Sequence, residues 1–372
     1  MPTPFFAAGS AGFTAWSLDP TCCQARPIAM TPTEVTKIQF AGPGRVQVVT
    51  EPMEFVLAPD EVLLQTRFSL VSTGTETAKL TGLQEVAYPF DTGNRACGTV
   101  VAYGSDVRNI RVGDVGFSYT PHWSHAPARR LFVKAPREVP QQHVPFAGMA
   151  SVGMTALRVG QVELGDQVVV VGLGLVGILT AQLCRIAGAH TVGVDMKPSR
   201  LRLAKACDLP DPVDAGLPDV KARILEATAG REPDVVIEAS GTPEGAIQAL
   251  QLTGSQGEGN VVLLGSPRRS LDTDVTPLLN RVHLWRGGSV NLLGAHEWRY
   301  PLHRDPFHKH SIERNIEVVF QLMAEQRLCL EPLISHVAPP ERAPEVFADL
   351  IDQPDTMVAA LFDWTATDHR PG

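Results

Sequence analysis

Hydrophobic and polar residues alternate in the first part of the chain, a pattern typical of half-buried strands. Along residues 62–70 the two faces separate with a period of two, one face carrying Val62, Leu64, Thr66, Phe68 and Leu70. Residues 98–117 predict a strand, a Gly-Ser-Asp turn and a second strand that begins after Gly113-Asp114. We therefore expect residues 35–150 to be β-rich.

The pattern changes near residue 155, where short apolar runs begin to alternate with segments of helical period. Strands are predicted at 167–171, 190–194, 234–238, 260–264 and 289–293, and helices at 175–187, 199–206, 219–229 and 243–252. Such alternation predicts a parallel sheet with right-handed crossovers. After residue 295 a loop rich in His and Pro leads to an amphipathic helix at 312–326 and a short β/α tail that ends near residue 364.

A glycine-rich turn follows the first strand of this alternating region. Four valines run into Gly172-Leu-Gly174-Leu-Val-Gly177, and an apolar helix follows. The first glycine permits a tight turn, the second allows a pyrophosphate to approach the backbone, and the third lets the helix pack closely on the sheet. Leu175 and Val176 open the helix, so their N–H groups are expected to face the phosphate charge. The turn predicts a dinucleotide site.

An acidic residue ends the next predicted strand. Asp195 lies eighteen residues after Gly177, where a carboxylate can accept both ribose hydroxyls and repel a 2′-phosphate. The sequence therefore predicts NAD rather than NADP. Met196, Lys197 and Arg200 follow as further candidate contacts. The two cations could touch the adenosine end or weaken the discrimination against phosphate. Alternatively, they are solvated charges that open a helix.

Two later loops are expected to complete the cofactor crevice. Ser240-Gly241 and Gly265-Ser266 follow the third and fourth predicted strands, and ligands of parallel sheets bind at the carboxyl ends of the strands. Thr155, where the pattern changes, is a further candidate cofactor contact.

Composition narrows the class of protein. The chain has 372 residues, enough for two domains, with 44% hydrophobic and 19% charged residues. Its net charge of −8, without a long basic run, argues against nucleic acid or an anionic membrane surface as a partner. The six cysteines are scattered, and no apolar run is long enough to cross a membrane, so we expect a cytoplasmic location. Residues 1–30 are predicted to be a mobile extension, with Met30 as a candidate natural start.

Several motifs together resemble the medium-chain dehydrogenase/reductase superfamily over residues 35–364. They are Ser72-Thr-Gly-Thr-Glu76 with Gly82, the run 104–114, the segment 168–195, and Leu333–His336 followed by Pro344–Phe347. The resemblance implies an α/β protein with a GroES-like β-rich catalytic domain at 31–155 and a Rossmann domain, a doubly wound parallel sheet, at 156–295. Residues 296–372 would then return to the catalytic domain. It also implies a homodimer or homotetramer.

The motifs depart from those of the zinc-dependent branch. Where that branch has its zinc-binding Cys and its Gly-His-Glu motif, this chain has Thr73-Gly-Thr-Glu76 and Gly93-Asn-Arg95, and the third ligand position falls within Gly148–Ser151. Catalytic zinc requires three protein ligands and an open position. The sequence therefore predicts no metal, and it is similar to the zinc-free Ser-Thr-Gly-Thr-Glu branch that includes bacteriochlorophyllide a dehydrogenase.

The resemblance also suggests catalytic residues. Thr75 matches the superfamily hydroxyl that contacts the substrate oxygen. Arg95 would supply the positive charge that zinc supplies in the zinc-dependent branch. Glu76 would orient the side chain of Arg95 or serve as the general base. The alternative is a structural Glu76–Arg95 ion pair. His122 begins the expected substrate-side loops and is either a general base or a solvated loop histidine.

These features predict an NAD-dependent oxidoreductase that transfers hydride between a small secondary alcohol or polyol and NAD without zinc. An NADPH-dependent enone or quinone reductase is the alternative within enzymes, although Asp195 argues against it. A non-catalytic nucleotide-binding relative is the alternative from another class, because binding of a cofactor by itself stabilises a fold.

Overall fold

The computed structural model describes residues 28–29, 33–254 and 259–365. The mobile extension predicted for residues 1–30 lies outside the described residues except for Ile28 and Ala29. These two pair with Val56–Leu57, and the mobile extension stays a prediction. The elements of the first region are β1 Ile28–Ala29, β2 Thr33–Gly42, β3 Arg45–Met53, β4 Val56–Leu57, β5 Val62–Leu70, α1 Thr73–Leu80, β6 Phe90–Asp91, β7 Ala96–Tyr103, β8 Val115–Ser118, β9 His125–Pro127, β10 Phe132–Lys134 and α2 Phe146–Val159.

The second region confirms the predicted alternation of strands and helices. Its described elements are β11 Gln167–Val171, α3 Leu175–Ile186, β12 His190–Asp195, α4 Pro198–Ala206, β13 Val213–Asp214, α5 Val220–Ala227, β14 Val235–Glu238, α6 Pro243–Leu252, β15 Asn260–Leu263, α7 Thr276–His283 and β16 Asn291–Gly294. The parallel sheet has the order β13-β12-β11-β14-β15-β16, the strand order of a Rossmann fold. Helix α7 escaped prediction because it buries none of its side chains fully, and only Leu278 packs partly against an apolar cluster.

The last region returns to the first. Its elements are α8 Ile312–Ala324, β17 Ile334–Ala338, α9 Ala343–Asp352 and β18 Ala359–Asp363. Strand β18 pairs antiparallel with β5, and β17 pairs with β18, so both extend the β-rich sheet of the first region. The fold is therefore an α/β arrangement of a GroES-like β domain and a Rossmann domain. Among the described residues, no helix combines the length and the apolar character that a bilayer crossing requires.

Helix α2 joins the two domains. It runs from Phe146 to Val159, across the predicted boundary at residue 155, and packs on α3. A Cβ on Gly153 would lie 2.6 Å from Thr180 Oγ1 of α3, so glycine permits this close helix crossing. One apolar cluster contains residues of both domains, among them Phe117, Phe146 and Ile178. This shared core holds the two sheets in position on either side of a cleft.

A buried polar network fixes helix α1 at the edge of this cleft. The carboxylate of Glu76 accepts hydrogen bonds from Ser72 N at 2.7 Å, from Thr92 Oγ1 at 2.6 Å and from His122 Nε2 at 3.1 Å. Burial would raise the pKa of Glu76. The charge and hydrogen bond of His122, with the bonds from Thr92 and Ser72, outweigh it and hold that pKa below its ordinary value.

The network continues beyond His122 to the end of the described chain. His122 Nδ1 lies 2.8 Å from Ser69 Oγ, which also accepts a hydrogen bond from Trp364 Nε1 at 2.9 Å. Ser69 belongs to β5, and Trp364 follows β18 directly. The same set of bonds therefore fixes helix α1, two strands and the loop that carries His122.

We expect the substitution Glu76→Ala to lower the free energy of unfolding by about 3–5 kcal/mol at neutral pH, since it leaves the buried donors of His122 and Thr92 without an acceptor. The contribution of Glu76 is present above its unfolded pKa and is lost as the pH falls through its lower folded pKa. Urea denaturation measures this dependence between about pH 6 and pH 3. As the pH is lowered over this range, the free energy of unfolding should fall less in the variant than in the parent.

The exposed Glu85 provides the matched control, because Glu85→Ala removes the same group from the surface of the same domain. We expect it to change stability by no more than about 0.5 kcal/mol. Equal effects of the two substitutions would contradict the structural role of Glu76.

Candidate active site

The glycine turn between β11 and α3 has the geometry that its sequence predicts. Gly172 has a φ of 92°, and a Cβ there would lie 2.6 Å from Ser240 N. A Cβ on Gly177 would lie 1.8 Å from the carbonyl oxygen of Gly172, so the third glycine is required for helix α3 to approach the strand. A Cβ on Gly174 would meet no atom within 4 Å, so the backbone there faces open space.

Helix α3 directs its N-terminus towards this open space. Gly174 caps the helix without a side-chain hydrogen bond, and Leu175 and Val176 are its first residues. The first N–H groups of a helix have no partner within the helix and carry its positive partial charge. The turn therefore offers donors and positive potential suited to a pyrophosphate.

A cleft of about 400 Å³ lies between the two domains at this turn. It contains nine of the residues predicted from the sequence, and they come from both domains. These are Thr75, Arg95, Gly174, Leu175, Val176, Ser240, Gly241, Gly265 and Ser266. The predicted residues that do not line it are Glu76, His122, Thr155, Gly172, Gly177, Asp195, Met196, Lys197 and Arg200.

Asp195 lies at the end of β12, next to the glycine turn. Its Oδ2 accepts a hydrogen bond from Leu173 N at 2.7 Å and its Oδ1 accepts one from Lys197 N at 2.8 Å. The two bonds hold the carboxylate at the strand end, and each oxygen keeps a lone pair for a further donor. The position of the carboxylate suits a contact with the ribose, and that contact stays a prediction.

The residues after Asp195 contact the turn that precedes β18. Lys197 forms an ion pair with Asp355, and Arg200 Nη2 donates a hydrogen bond to the carbonyl oxygen of Pro354. Lys197 is the N-cap of α4 and its side chain is 42% exposed, so the interpretation of these cations as solvated charges that open a helix stays open. The side chain of Met196 is largely exposed. The proposed contacts of these three residues with adenosine stay predictions.

The prediction for Thr155 is wrong. Its side chain is buried within α2, and its hydroxyl donates to the carbonyl oxygen of Ser151 at 3.1 Å. Asn315 Nδ2 of α8 lies 3.5 Å from the same hydroxyl, so Thr155 faces α8 and not the cleft. Met149 and Val152, one helical turn apart on another face of α2, line the cleft instead.

Arg95 forms its ion pair with Glu297. Its Nη2 lies 2.9 Å from Oε1 and 3.0 Å from Oε2 of Glu297, and its Nη1 donates to Asn94 Oδ1 at 2.6 Å. The predicted Glu76–Arg95 pair is therefore wrong, both as a catalytic unit and as a structural ion pair. The carboxylate of Glu76 is taken up by donors inside the β domain, whereas Glu297 approaches Arg95 from the loop after β16.

Tyr119 completes this group of polar side chains. Its hydroxyl donates to Glu297 Oε1 at 2.9 Å. Burial, with the nearby charge of Glu297, raises the pKa of Tyr119 well above its ordinary value, so the phenol stays protonated and donates. Arg95 and Glu297 line the cleft, and Tyr119 supports them from behind.

Both interpretations of His122 are wrong. The residue is fully buried, so it is not a solvated loop histidine. Both ring nitrogens have partners, Ser69 Oγ and Glu76 Oε2, so neither is directed at the cleft as a substrate base. Its role is to hold Glu76 and helix α1.

Sequence reasoning missed Glu297, Tyr119 and Arg268. Arg268 Nη2 donates to Thr75 Oγ1 at 3.3 Å, and its Nη1 donates to the carbonyl oxygen of Gly74. Two of the three could have been found, because Arg268 follows β15 and Glu297 follows β16 of the parallel sheet, where ligand-binding loops are expected.

The residues present do not fit a catalytic zinc ion. The guanidinium of Arg95 packs against Gly148, where a Cβ would lie 3.0 Å from Arg95 Nε and 2.7 Å from Phe117 Cζ. A ligand side chain at Gly148 would therefore clash, and the positive charge of Arg95 would repel a divalent cation. Among the described residues there is no group of three or more His, Cys, Asp or Glu side chains that could hold a metal.

Comparisons with known proteins agree with this fold. Residues 176–302 match the family model described as zinc-binding dehydrogenase. Human sorbitol dehydrogenase is 28% identical over 301 residues, which cover 70% of this chain and 77% of the relative. The chain spans less than two thirds of other curated relatives that it matches, 59% of one and 48% of another.

Solved structures share the fold. A dehydrogenase from Sinorhizobium meliloti bound to NADP has a TM-score of 0.73 at 21% identity, with 89% of this chain and 99% of that chain covered. A dehydrogenase from Escherichia coli complexed with NADH has a TM-score of 0.73 at 16% identity, with 89% and 99% covered. The chain is thus similar in sequence to zinc-type alcohol dehydrogenase-like oxidoreductases and shares the fold of solved dehydrogenases.

Proposed function

We propose that the protein oxidises a secondary alcohol or polyol with NAD and without zinc. One observation carries the proposal. The Arg95–Glu297 pair lines the same cleft as the glycine turn, so a cation and a carboxylate stand beside the expected dinucleotide site. The name of the sorbitol dehydrogenase relative suggests the polyol class.

The cleft and the glycine turn fit a nicotinamide dinucleotide. The open backbone at Gly174 and the first N–H groups of α3 would hold the pyrophosphate, and Asp195 the ribose. Ser240-Gly241 and Gly265-Ser266 line the inner part of the cleft, where the nicotinamide end would lie. When bound, the nicotinamide supplies the acceptor for hydride.

Residues of the cleft would remove the hydroxyl proton and stabilise the negative charge that develops on the oxygen. The side chain of Glu297 is 15% exposed, so its carboxylate can take the hydroxyl proton of an alcohol. The guanidinium of Arg95 would stabilise the negative charge that develops on the oxygen. Thr75 Oγ1, held by Arg268, would hydrogen bond to the same oxygen. Loss of a proton from oxygen and of hydride from carbon yields the carbonyl product.

The preference for NAD is supported by charges around the ribose position. The carboxylate of Asp195 is held in place by two backbone N–H groups and would repel a 2′-phosphate. Lys197, the nearest cation along the chain, is already paired with Asp355. The neighbour that was solved with NADP shares only the fold at 21% identity, so it carries no argument about this position.

The other candidate functions make different demands on this site. An NADPH-dependent enone reductase would need a cation for the 2′-phosphate, where this chain has Asp195. A non-catalytic relative would have no need for a carboxylate held against a cation inside the cleft. Turnover of NAD with a panel of secondary alcohols separates both from the proposed enzyme.

We also propose that the protein forms a homodimer through the edge of the Rossmann sheet. Strand β16 is the last strand of that sheet, and Leu292 in it is 46% exposed. Leu279 of α7 and Trp285 nearby are 62% and 83% exposed. An unpaired edge strand beside exposed apolar side chains is suited to a partner. A two-fold axis would join the two sheets of six strands into one of twelve.

Asp195→Ala should weaken NAD binding by about tenfold, the equivalent of about 1.4 kcal/mol, and reduce the discrimination against NADP. The reason is the loss of the acceptor for two ribose hydroxyls and of the repulsion of a phosphate. Calorimetric titration with each dinucleotide measures both effects. Asp211→Ala, at an exposed turn in the same domain, should change neither affinity. Unchanged preference in Asp195→Ala would refute the ribose contact.

Arg95→Ala should lower kcat by about 10²–10³, the loss expected for one donor to a developing oxyanion, with NAD affinity changed much less. Glu297→Gln keeps the shape of the pair but removes the base, and it should lower kcat by about 10²–10⁴. Steady-state kinetics on a polyol panel provides both values.

Metal analysis of the same preparations tests the absence of zinc. Protein purified without chelator should hold much less than one zinc per chain and should keep its activity after dialysis against a chelator. One tightly bound zinc per chain, lost together with activity, would overturn the proposed chemistry.

Leu292→Lys should convert the dimer into monomers at micromolar concentration, because it places a charge on the edge strand. Sedimentation velocity gives the mass. Leu164→Lys, at another exposed leucine, is the control. A parent protein that sediments as a monomer would refute the proposed assembly.

A further inference from the structure

A second cavity, of about 490 Å³, lies in the β domain next to the cleft. Asn94 and Tyr119 line it, and they hydrogen bond to Arg95 and Glu297, which line the cleft. The Arg95–Glu297 network therefore lies at the boundary between the cleft and this second cavity. The proposed chemistry uses only the side towards the glycine turn.

Aromatic rings form part of the lining of this cavity. Tyr119, Trp123 and Trp298 contribute, and the rings of Tyr119 and Trp298 lie 5.1 Å apart. Such faces pack well against the C–H groups of a saturated ring or carbon chain. The carboxylate of Glu54 and the amide of Asn94 also line the cavity and suit hydroxyl groups. The lining matches a molecule that is apolar on one face and carries hydroxyls.

The cavity is positively charged, in contrast to the chain as a whole. Lys79, Arg129 and Arg130 line it against the single acid Glu54, a formal charge of +2 (three minus one) in a protein of net charge −8. A cluster of this sign in an acidic protein favours an anionic ligand.

One of these cations is available to bind an anion. Arg129 lies 3.7 Å from the carboxylate of Glu61, and Lys79 Nζ lies 4.4 Å from the ring centre of Phe90. The guanidinium of Arg130 lies 5.7 Å from the ring centre of Trp298 and has no ion pair with any described residue. A guanidinium matches both carboxylate and phosphate through paired N–H groups.

We propose that this cavity binds the substrate's distal part, and that the substrate is a polyol or sugar with an anionic group, a carboxylate or a phosphate. The anion contacts Arg130, and the carbon skeleton lies against Trp298 and Tyr119. The inference rests on the proposed function, since it places the hydroxyl to be oxidised beside Arg95, at the boundary between the two cavities.

The test is calorimetric binding to the full chain with three ligands, glucuronate, glucose 6-phosphate and the neutral methyl glucoside. We expect at least one of the two anionic ligands to bind tenfold or more tightly than the neutral one. Their relative affinity distinguishes a carboxylate from a phosphate. Arg130→Gln should remove this tenfold preference without changing the affinity for methyl glucoside, and Arg130→Lys should retain part of it.

The control variant is Arg202→Gln, which changes the net charge equally but lies exposed on α4. It should leave the preference intact. Absence of binding by both anionic ligands, affinity equal to that of the neutral ligand, or equal effects of the two Gln variants would overturn the inference. Binding is measured without dinucleotide or turnover. A failure of the dehydrogenase assay would therefore refute the proposed function, whereas the binding preference for the anionic ligands could still be interpreted.

Discussion

The ion pair between Arg95 and Glu297 is the interaction on which the proposed site depends. Arg95 comes directly before β7 of the β domain, whereas Glu297 follows β16 of the Rossmann domain, so the pair joins the two domains across the cleft. Removing two charges from water is costly, and a buried pair is stable only when further hydrogen bonds satisfy it. Asn94 and Tyr119 provide those bonds.

The same pair occupies the place where zinc ligands would be expected in a chain that is similar to zinc-binding dehydrogenases. Gly148 leaves room for the guanidinium, and Tyr119 fixes the carboxylate that faces it. A fixed cation in the cleft would provide the proposed electrostatic stabilisation without a metal. The pair also lies at the boundary between the cleft and the second cavity lined by Tyr119, Trp123 and Trp298, so the same interaction positions the proposed chemistry and borders both spaces.

The Rossmann domain could be predicted from the sequence because its signals are local. Four valines, three glycines and a strand-ending acid define β11, the turn and the end of β12 without reference to distant residues. The partners of the catalytic side chains could not be predicted in this way. Arg95 and Glu297 are 202 positions apart, and nothing near Arg95 in the sequence favours Glu297 over the closer Glu76. The burial of His122 likewise depends on Ser69 and Glu76, which precede it by 53 and 46 positions.

The continuity of helix α2 determines how the protein can be divided. Because this helix crosses from one domain to the other and a single apolar cluster includes Phe117, Phe146 and Ile178, the Rossmann domain is not a detachable unit. A fragment cut out near residue 155 would expose the side of α3 that now packs on α2 and would aggregate or remain partly unfolded. The proposed cofactor binding and alcohol chemistry would therefore be properties of one cooperative folding unit, and neither half is expected to survive limited proteolysis alone.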